Sequence, residues 1–195
     1  MAGLALVSGP GIEPVTIDEA KLFSRITVDD EDALIEELIT AARQALEERW
    51  NWSFITQTWD QYLDQFPAND WHYSQPIVTL RGPLQSVTSV KYTPNGGSIQ
   101  TVSSADYYVD ATNSCKPKIV PVIGKAWPGD LLRIANGVEV RIVTGYASAD
   151  AVPFHLKVAV KQLVNAWYVD RDSMGHVPDH LDAFLEEVRG GVLYA

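Results

Sequence analysis

The sequence predicts an α+β fold: a small bundle of about four helices with a β-rich insertion between the second and third long helices. Three observations carry that reading. Acidic amphipathic segments open the chain, the middle is written in β-branched, aromatic and turn residues, and two apolar helical segments with a short tail close it. The helices must therefore close on one another across the insertion. The expected organisation is a flexible N-terminal arm over 1–15, a helical core over 16–53 and 147–189, the insertion over 54–146 and a C-terminal tail over 190–195.

Thr16-x-x-Glu19 is a capping-box pattern, in which the Thr16 hydroxyl accepts from the Glu19 backbone N–H while the Glu19 carboxylate reaches back. It predicts a short helix through about Arg25. Asp29-Asp30-Glu31-Asp32 then places four carboxylates where the unpaired donors and positive dipole end of a second helix favour negative charge. In that helix Leu34, Ile35, Leu38, Ile39, Ala42, Ala45, Leu46 and Arg49 form one stripe, with Glu36, Glu37, Gln44 and Glu47 off it. Small Ala41, Ala42 and Ala45 permit close helix approach. Trp50 and Trp52, around Asn51, mark its end and cap the core.

Strand grammar follows. Residues 58–64, 77–80, 87–92 and 138–143 are short and rich in β-branched or aromatic residues, often alternating with polar ones. Asn95-Gly96-Gly97 and Asn136-Gly137 tolerate positive φ, so each is expected to turn a hairpin. Pro153 suits the first turn of a third helix with Leu156, Ala159, Val160, Leu163, Ala166 and Trp167 on one face. Pro178 opens a last helix bearing Leu181, Phe184, Leu185 and Val188, and Gly190-Gly191 ends it.

Composition narrows the function. A single cysteine, Cys115, excludes an internal disulfide framework and a cysteine zinc cage. No apolar run approaches the roughly twenty residues that cross a bilayer, and Met1–Pro10 lacks a basic leader, so the expected setting is the cytosol, with no membrane partner. With 15 Lys+Arg against 25 Asp+Glu the net charge is −10, which repels a duplex or an anionic membrane. Such repulsion suits a protein that surrounds moving DNA without gripping it.

Candidate chemistry is sparse. His176-x-x-x-His180 has zinc-like spacing, but Pro178 between the two places His176 outside the helix, and the glutamate base of the zinc-hydrolase motif is missing. Asp179 and Asp182 suit the helix N-terminus instead. Acid–base work by Asp29, Asp30, Glu31 and Asp32 would need one of them desolvated, which an exposed helix start does not provide. Ser103 and Ser104 lack a nucleophile-elbow context, His155 has no sequence-visible partner, and no Gly-rich phosphate loop joins a strand to a helix. No catalytic residue, metal ligand or cofactor is therefore expected. Trp71-His72-Tyr73, between Pro67 and Pro76, could stack on a sugar or dock in a protein pocket, which makes a carbohydrate- or protein-binding module the competing reading. Lys116, Lys118 and Lys125 add local positive charge suited to an intersubunit contact or to water.

Several stretches, in order, carry a resemblance: Pro14-Val15-Thr16-Ile17-Asp18-Glu19-Ala20-Lys21, Asp32-Ala33-Leu34-Ile35 with Ala41-Ala42-Arg43, and Thr56-Gln57-Thr58-Trp59. Leu84-Gln85-Ser86-Val87-Thr88-Ser89-Val90, Gly145-Tyr146, Val152-Pro153 and Trp167-Tyr168 through Arg171 continue it. The chain resembles the head–tail connector (adaptor) proteins of long-tailed bacteriophages, in the branch with a β-rich insertion. The resemblance covers nearly the whole chain and implies a structural virion protein rather than an enzyme. It implies a dodecameric ring beneath the portal that extends the DNA channel and presents a platform for a stopper or tail-completion protein. Genomic DNA would pass without tight binding, and assembly would occur in the host cytoplasm. The C-terminal segment would meet the portal, which here assigns that contact to Leu185, Val188, Arg189, Leu193 and Tyr194. Val188 stands where the family carries an aromatic residue before the final arginine. Asp29, Asp30, Glu31 and Asp32 are the candidates for an acidic face on the DNA channel.

Overall fold

The computed structural model describes residues 2–68 and 74–184. The chain divides into two compact units. One holds the residues up to Gly9 with Gln57–Gly145; the other holds Pro10–Thr56 with the described residues from Tyr146 onward.

The first unit is built of strands. These are β1 (Ala2–Ser8), β2 (Gln57–Leu63), β3 (Ile77–Val78), β4 (Leu84–Tyr92), β5 (Gln100–Thr101), β6 (Tyr107–Asp110), β7 (Lys118–Pro121) and β8 (Val138–Thr144). A five-stranded antiparallel sheet runs β1-β2-β8-β4-β5, and a three-stranded one runs β3-β7-β6. β8 lies between β2 and β4 and reads as a strict alternation: Val138, Val140, Ile142 and Thr144 are buried, while Glu139, Arg141 and Val143 are half-buried. Gln61 joins the sheets, since its side chain donates to the Val78 carbonyl at 2.9 Å and accepts from the Leu80 N–H at 2.8 Å. Between them pack Ile77, Val90, Ile119, Trp127, Val138, Val140 and Ile142. Phe66 stacks on Trp127 at 5.2 Å, and Trp127 Nε1 donates to the Gln75 carbonyl at 2.8 Å.

Two expectations change here. Residues 2–8, expected within a flexible arm, pair with the outer edge of β2 from Ala2↔Leu63 to Ser8↔Thr58. The run Ala2–Ser8 has no charge, so it can satisfy the backbone groups of β2 beside an apolar surface. Gly96, at φ +73°, turns the β4–β5 hairpin as expected. Asn136-Gly137, however, leads into β8, whose partners are the distant β2 and β4, so it closes no hairpin. It makes a local turn instead, with Asn136 at φ +53° and its carbonyl accepting from Arg133.

The second unit is helical. α1 (Ile17–Ser24) carries both halves of the expected capping box, with Glu19 N–H donating to Thr16 Oγ1 at 3.2 Å and Thr16 N–H to the Glu19 carboxylate at 3.0 Å. α2 (Asp32–Trp50) ends at Asn51, whose left-handed φ of 51° lets its N–H return to the last turn. α3 (Phe154–Val169) starts directly after Pro153. α2 packs on α3, and α1 packs on both. Most of the stripe read from the sequence faces this core: Ile35, Leu38, Ile39, Ala42 and Leu46 of α2 and Leu156, Ala159, Val160, Leu163 and Trp167 of α3 are buried, while Leu34 and Ala45 are half-buried and Arg49, expected on the stripe, is exposed. Trp50, Trp52 and Phe54 close one end, with Trp50 and Phe54 rings 6.0 Å apart. A turn of 3₁₀ helix at Asp179–Leu181 passes into helical backbone over 182–184. The chain leaves and re-enters this unit side by side, since Ile55 bridges Tyr146 in parallel and Thr56 N–H donates to the Tyr146 carbonyl at 3.0 Å.

Candidate functional site

Asp29-Asp30-Glu31-Asp32 lies where α2 begins, but no side chain there caps the helix by hydrogen bonding. The carboxylates have other partners. Lys21, at the end of α1, reaches Asp29 at 2.5 Å and Asp32 at 2.7 Å. The hydrogen bond from Lys21, reinforced by its charge, holds the Asp29 carboxyl below the usual carboxylate range. The same two carboxylates raise the Lys21 ammonium. Glu31 accepts from Tyr168 Oη of α3, which raises that phenol's pKa. Asp29 remains 88% exposed and Asp30 is exposed, so this corner keeps an outward acidic surface while tying α1, α2 and α3 together.

A second electrostatic knot was not visible as such in the helical pattern. Glu47, placed by periodicity off the buried stripe, is buried. It accepts from Arg43 at 2.8 Å and from the Phe54 backbone N–H at 2.7 Å. Arg43, also buried, turns its remaining donors to Glu13 at 2.7 and 3.1 Å, and Thr40 Oγ1 donates to the same carboxylate at 3.1 Å. The spacing Arg43 to Glu47 is one helical turn, a readable signal for an ion pair but not for its burial. Burial follows because the chain before α1 and the chain after α2 both fold over this face. A third knot lies at the far end of α2, where Arg49 holds Asp182 at 2.6 and 2.8 Å and Asp179 at 2.9 Å, and Trp50 Nε1 adds a bond to Asp182 at 2.8 Å. The two aspartates therefore bond to side chains of α2 rather than simply serving their own helix start. This fixes the start of the C-terminal helical segment.

Of the other candidates, His176 sits outside any helix, with its carbonyl accepting from Trp167 Nε1 at 3.0 Å. Among the described residues no group of three His, Cys, Asp or Glu side chains converges as a metal site would require. Lys116 and Lys118 are exposed and Lys125 pairs with Asp106 at 2.9 Å. Trp71, His72 and Tyr73 lie outside the described residues, as do Leu185, Val188, Arg189, Leu193 and Tyr194. Among the described residues no helix is long and apolar enough to cross a membrane. Apolar side chains do reach the surface of the helical unit, notably Leu22 and Phe23 of α1 and Phe154 and Val169 of α3.

A family model described as phage gp6-like head–tail connector protein matches residues 14–114, more than half of the chain, spanning α1, α2 and strands β2 to β6. The chain belongs to that family. It is therefore a structural virion connector whose place is the head–tail interface. No match is found among curated protein sequences. Solved structures share the connector's fold: a chain in the virion of a native gene transfer agent particle is 21% identical over 94% of this chain and 93% of that one, with a TM-score of 0.71. A chain in the neck of an empty gene transfer agent particle computed with C6 symmetry is 22% identical over 87% and 85%, with a TM-score of 0.62. A third, in the neck of a native particle computed with C12 symmetry, is 22% identical over 87% and 84%, with a TM-score of 0.59.

Proposed function

We propose that this connector is one subunit of a homo-oligomeric ring, a dodecamer, mounted beneath the portal, where it extends the DNA channel and offers a platform to a stopper or tail-completion protein. The family match over residues 14–114 carries the reading. Two physical features support it. The helical unit exposes Leu22, Phe23, Phe154 and Val169, apolar surface of the kind that contacts between subunits cover. The net charge of −10 disfavours phosphate contacts that would slow passing DNA.

In this arrangement the acidic corner of Asp29, Asp30, Glu31 and Asp32 faces the channel, and Leu185, Val188, Arg189, Leu193 and Tyr194 make the portal contact. Co-sedimentation with portal rings tests the attachment. Deleting the residues after Arg189 should abolish co-sedimentation while the circular dichroism spectrum stays that of the full chain. Undiminished attachment by the truncated protein would assign the portal contact elsewhere.

A further inference from the structure

Helices α2 and α3 pack on each other through their buried faces, which leaves each with an outer face, and the two outer faces lie on opposite sides of the pair. On α2 that face is a shallow groove of about 480 Å³ lined by Ala33, Glu36, Glu37, Thr40, Ala41 and Gln44. It carries carboxylates and no cation. The outer face of α3 carries Phe154, Lys157, Val158, Lys161 and Asn165, with Phe154 74% exposed and the Lys161 ammonium 5.5 Å from its ring centre. It carries cations and no carboxylate, since α3, unlike α1 and α2, contains no Asp or Glu. Glu36 and Glu37 make no ion pair among the described residues, and neither do Lys157 and Lys161.

We propose that the outer face of α3 in one copy lies in the α2 groove of the next copy, so that helices stack from subunit to subunit. The inference rests on the ring reading and supplies one of its contacts. The two faces match in length, because Ala33 to Gln44 and Phe154 to Asn165 each run about 17 Å along a helix. They also match in relief. Small Ala33 and Ala41 let a second helix approach and leave room for the Phe154 ring, while Lys157 and Lys161 meet Glu36 and Glu37.

Opposite charge selects a second copy as occupant. At a net charge of −10 copies repel one another in most orientations, and a register that sets unpaired lysines against unpaired glutamates turns that repulsion into attraction. The chain's own residues after Phe184 suit the groove less well, since they would place Glu186 and Glu187 against Glu36 and Glu37. A duplex is repelled from it for the same reason. Because the two faces are different surfaces on opposite sides of each copy, every copy offers one of each, and the contact propagates until its rotation closes a ring.

Charge reversal tests this. One chain carries Lys157→Glu with Lys161→Glu and a second carries Glu36→Lys with Glu37→Lys, all outside the buried core, so each should keep the parent's circular dichroism spectrum. Mass is measured by native mass spectrometry in whichever condition, alone or with portal, gives rings of the parent. Each reversed chain by itself sets like charges face to face and is expected as the 21.5 kDa monomer. Mixed in equal amounts, the two restore opposite charge at every contact, and rings that alternate them are expected. Relief of overall repulsion predicts the reverse, because Glu36→Lys with Glu37→Lys makes the chain less acidic and would then assemble better alone. Rings from either reversed chain alone would overturn the proposal and leave the ring reading intact. So would a mixture that stays monomeric where the parent forms rings. A parent that is monomeric both alone and with portal would overturn both.

Discussion

At the scale of single residues, the side chains that matter most are those whose partners come from far along the chain. Glu47 is held between the Arg43 guanidinium and the Phe54 amide, and Arg43 in turn is shared with Glu13. Cutting Glu47 to alanine leaves a buried cation and a buried amide with lost partners, so Glu47→Ala should destabilise by about 3–5 kcal/mol in urea unfolding. A change below about 1 kcal/mol would mean that water replaces the carboxylate freely. Gly137 is a steric case: a Cβ built there would lie 2.5 Å from the Asp64 carbonyl oxygen and 2.9 Å from Leu132 Cβ. Gly137→Ala should therefore cost about 1–3 kcal/mol, read from the same unfolding curves.

Asp29 predicts a pH dependence. Its folded-state pKa lies below its ordinary value of 3.8 because Lys21 bonds the ionised form. Its contribution is therefore present above that value and is lost as pH falls through the lower folded one. Asp29→Asn should unfold at lower urea than the parent near pH 6 and show a smaller fall in midpoint on acidification towards about pH 2. Identical acid sensitivity in parent and variant would remove the Lys21–Asp29 contact from the account.

At the scale of elements, local signals were decisive where an element is stabilised locally. The capping box set the start of α1, so Thr16→Ala should cost about 1 kcal/mol and lower the thermal midpoint. The apolar stripes of α2 and α3 were readable because each helix buries one face, and β8 was readable because its alternation faces a packed interior on one side. What was not readable depended on long-range pairing. The segment Ala2–Ser8 has no strand-like alternation of polar and apolar residues, and only the outer edge of β2, more than fifty residues away, makes it β1. The short β5, β6 and β7 are likewise defined by partners rather than by composition, with β6 and β7 separated by a turn-rich stretch around Asn113. Asn136-Gly137 has hairpin chemistry but lies before a central strand, so topology overrode the local preference. The candidate site divides in the same way. The acidic run was visible in the sequence, while its closure by Lys21 and Tyr168 needed three helices brought together.

At the scale of the whole molecule, the chain comprises a helical unit and a strand unit, the latter made of Gln57–Gly145 together with the residues up to Gly9, and it belongs to a connector family. Its acidity bears on how it treats DNA. The isolated protein should bind duplex weakly and with little dependence on salt, measured by fluorescence anisotropy, since few phosphates are neutralised. Tight binding that weakens steeply with added salt would contradict a channel that lets DNA slide. Ring assembly is the claim on which the rest of the functional account depends. Native mass measurement with electron microscopy of the purified protein, alone and with portal, tests it most directly. The account predicts annular particles with a mass many times 21.5 kDa in at least one of the two conditions, and monomer persisting in both would contradict it.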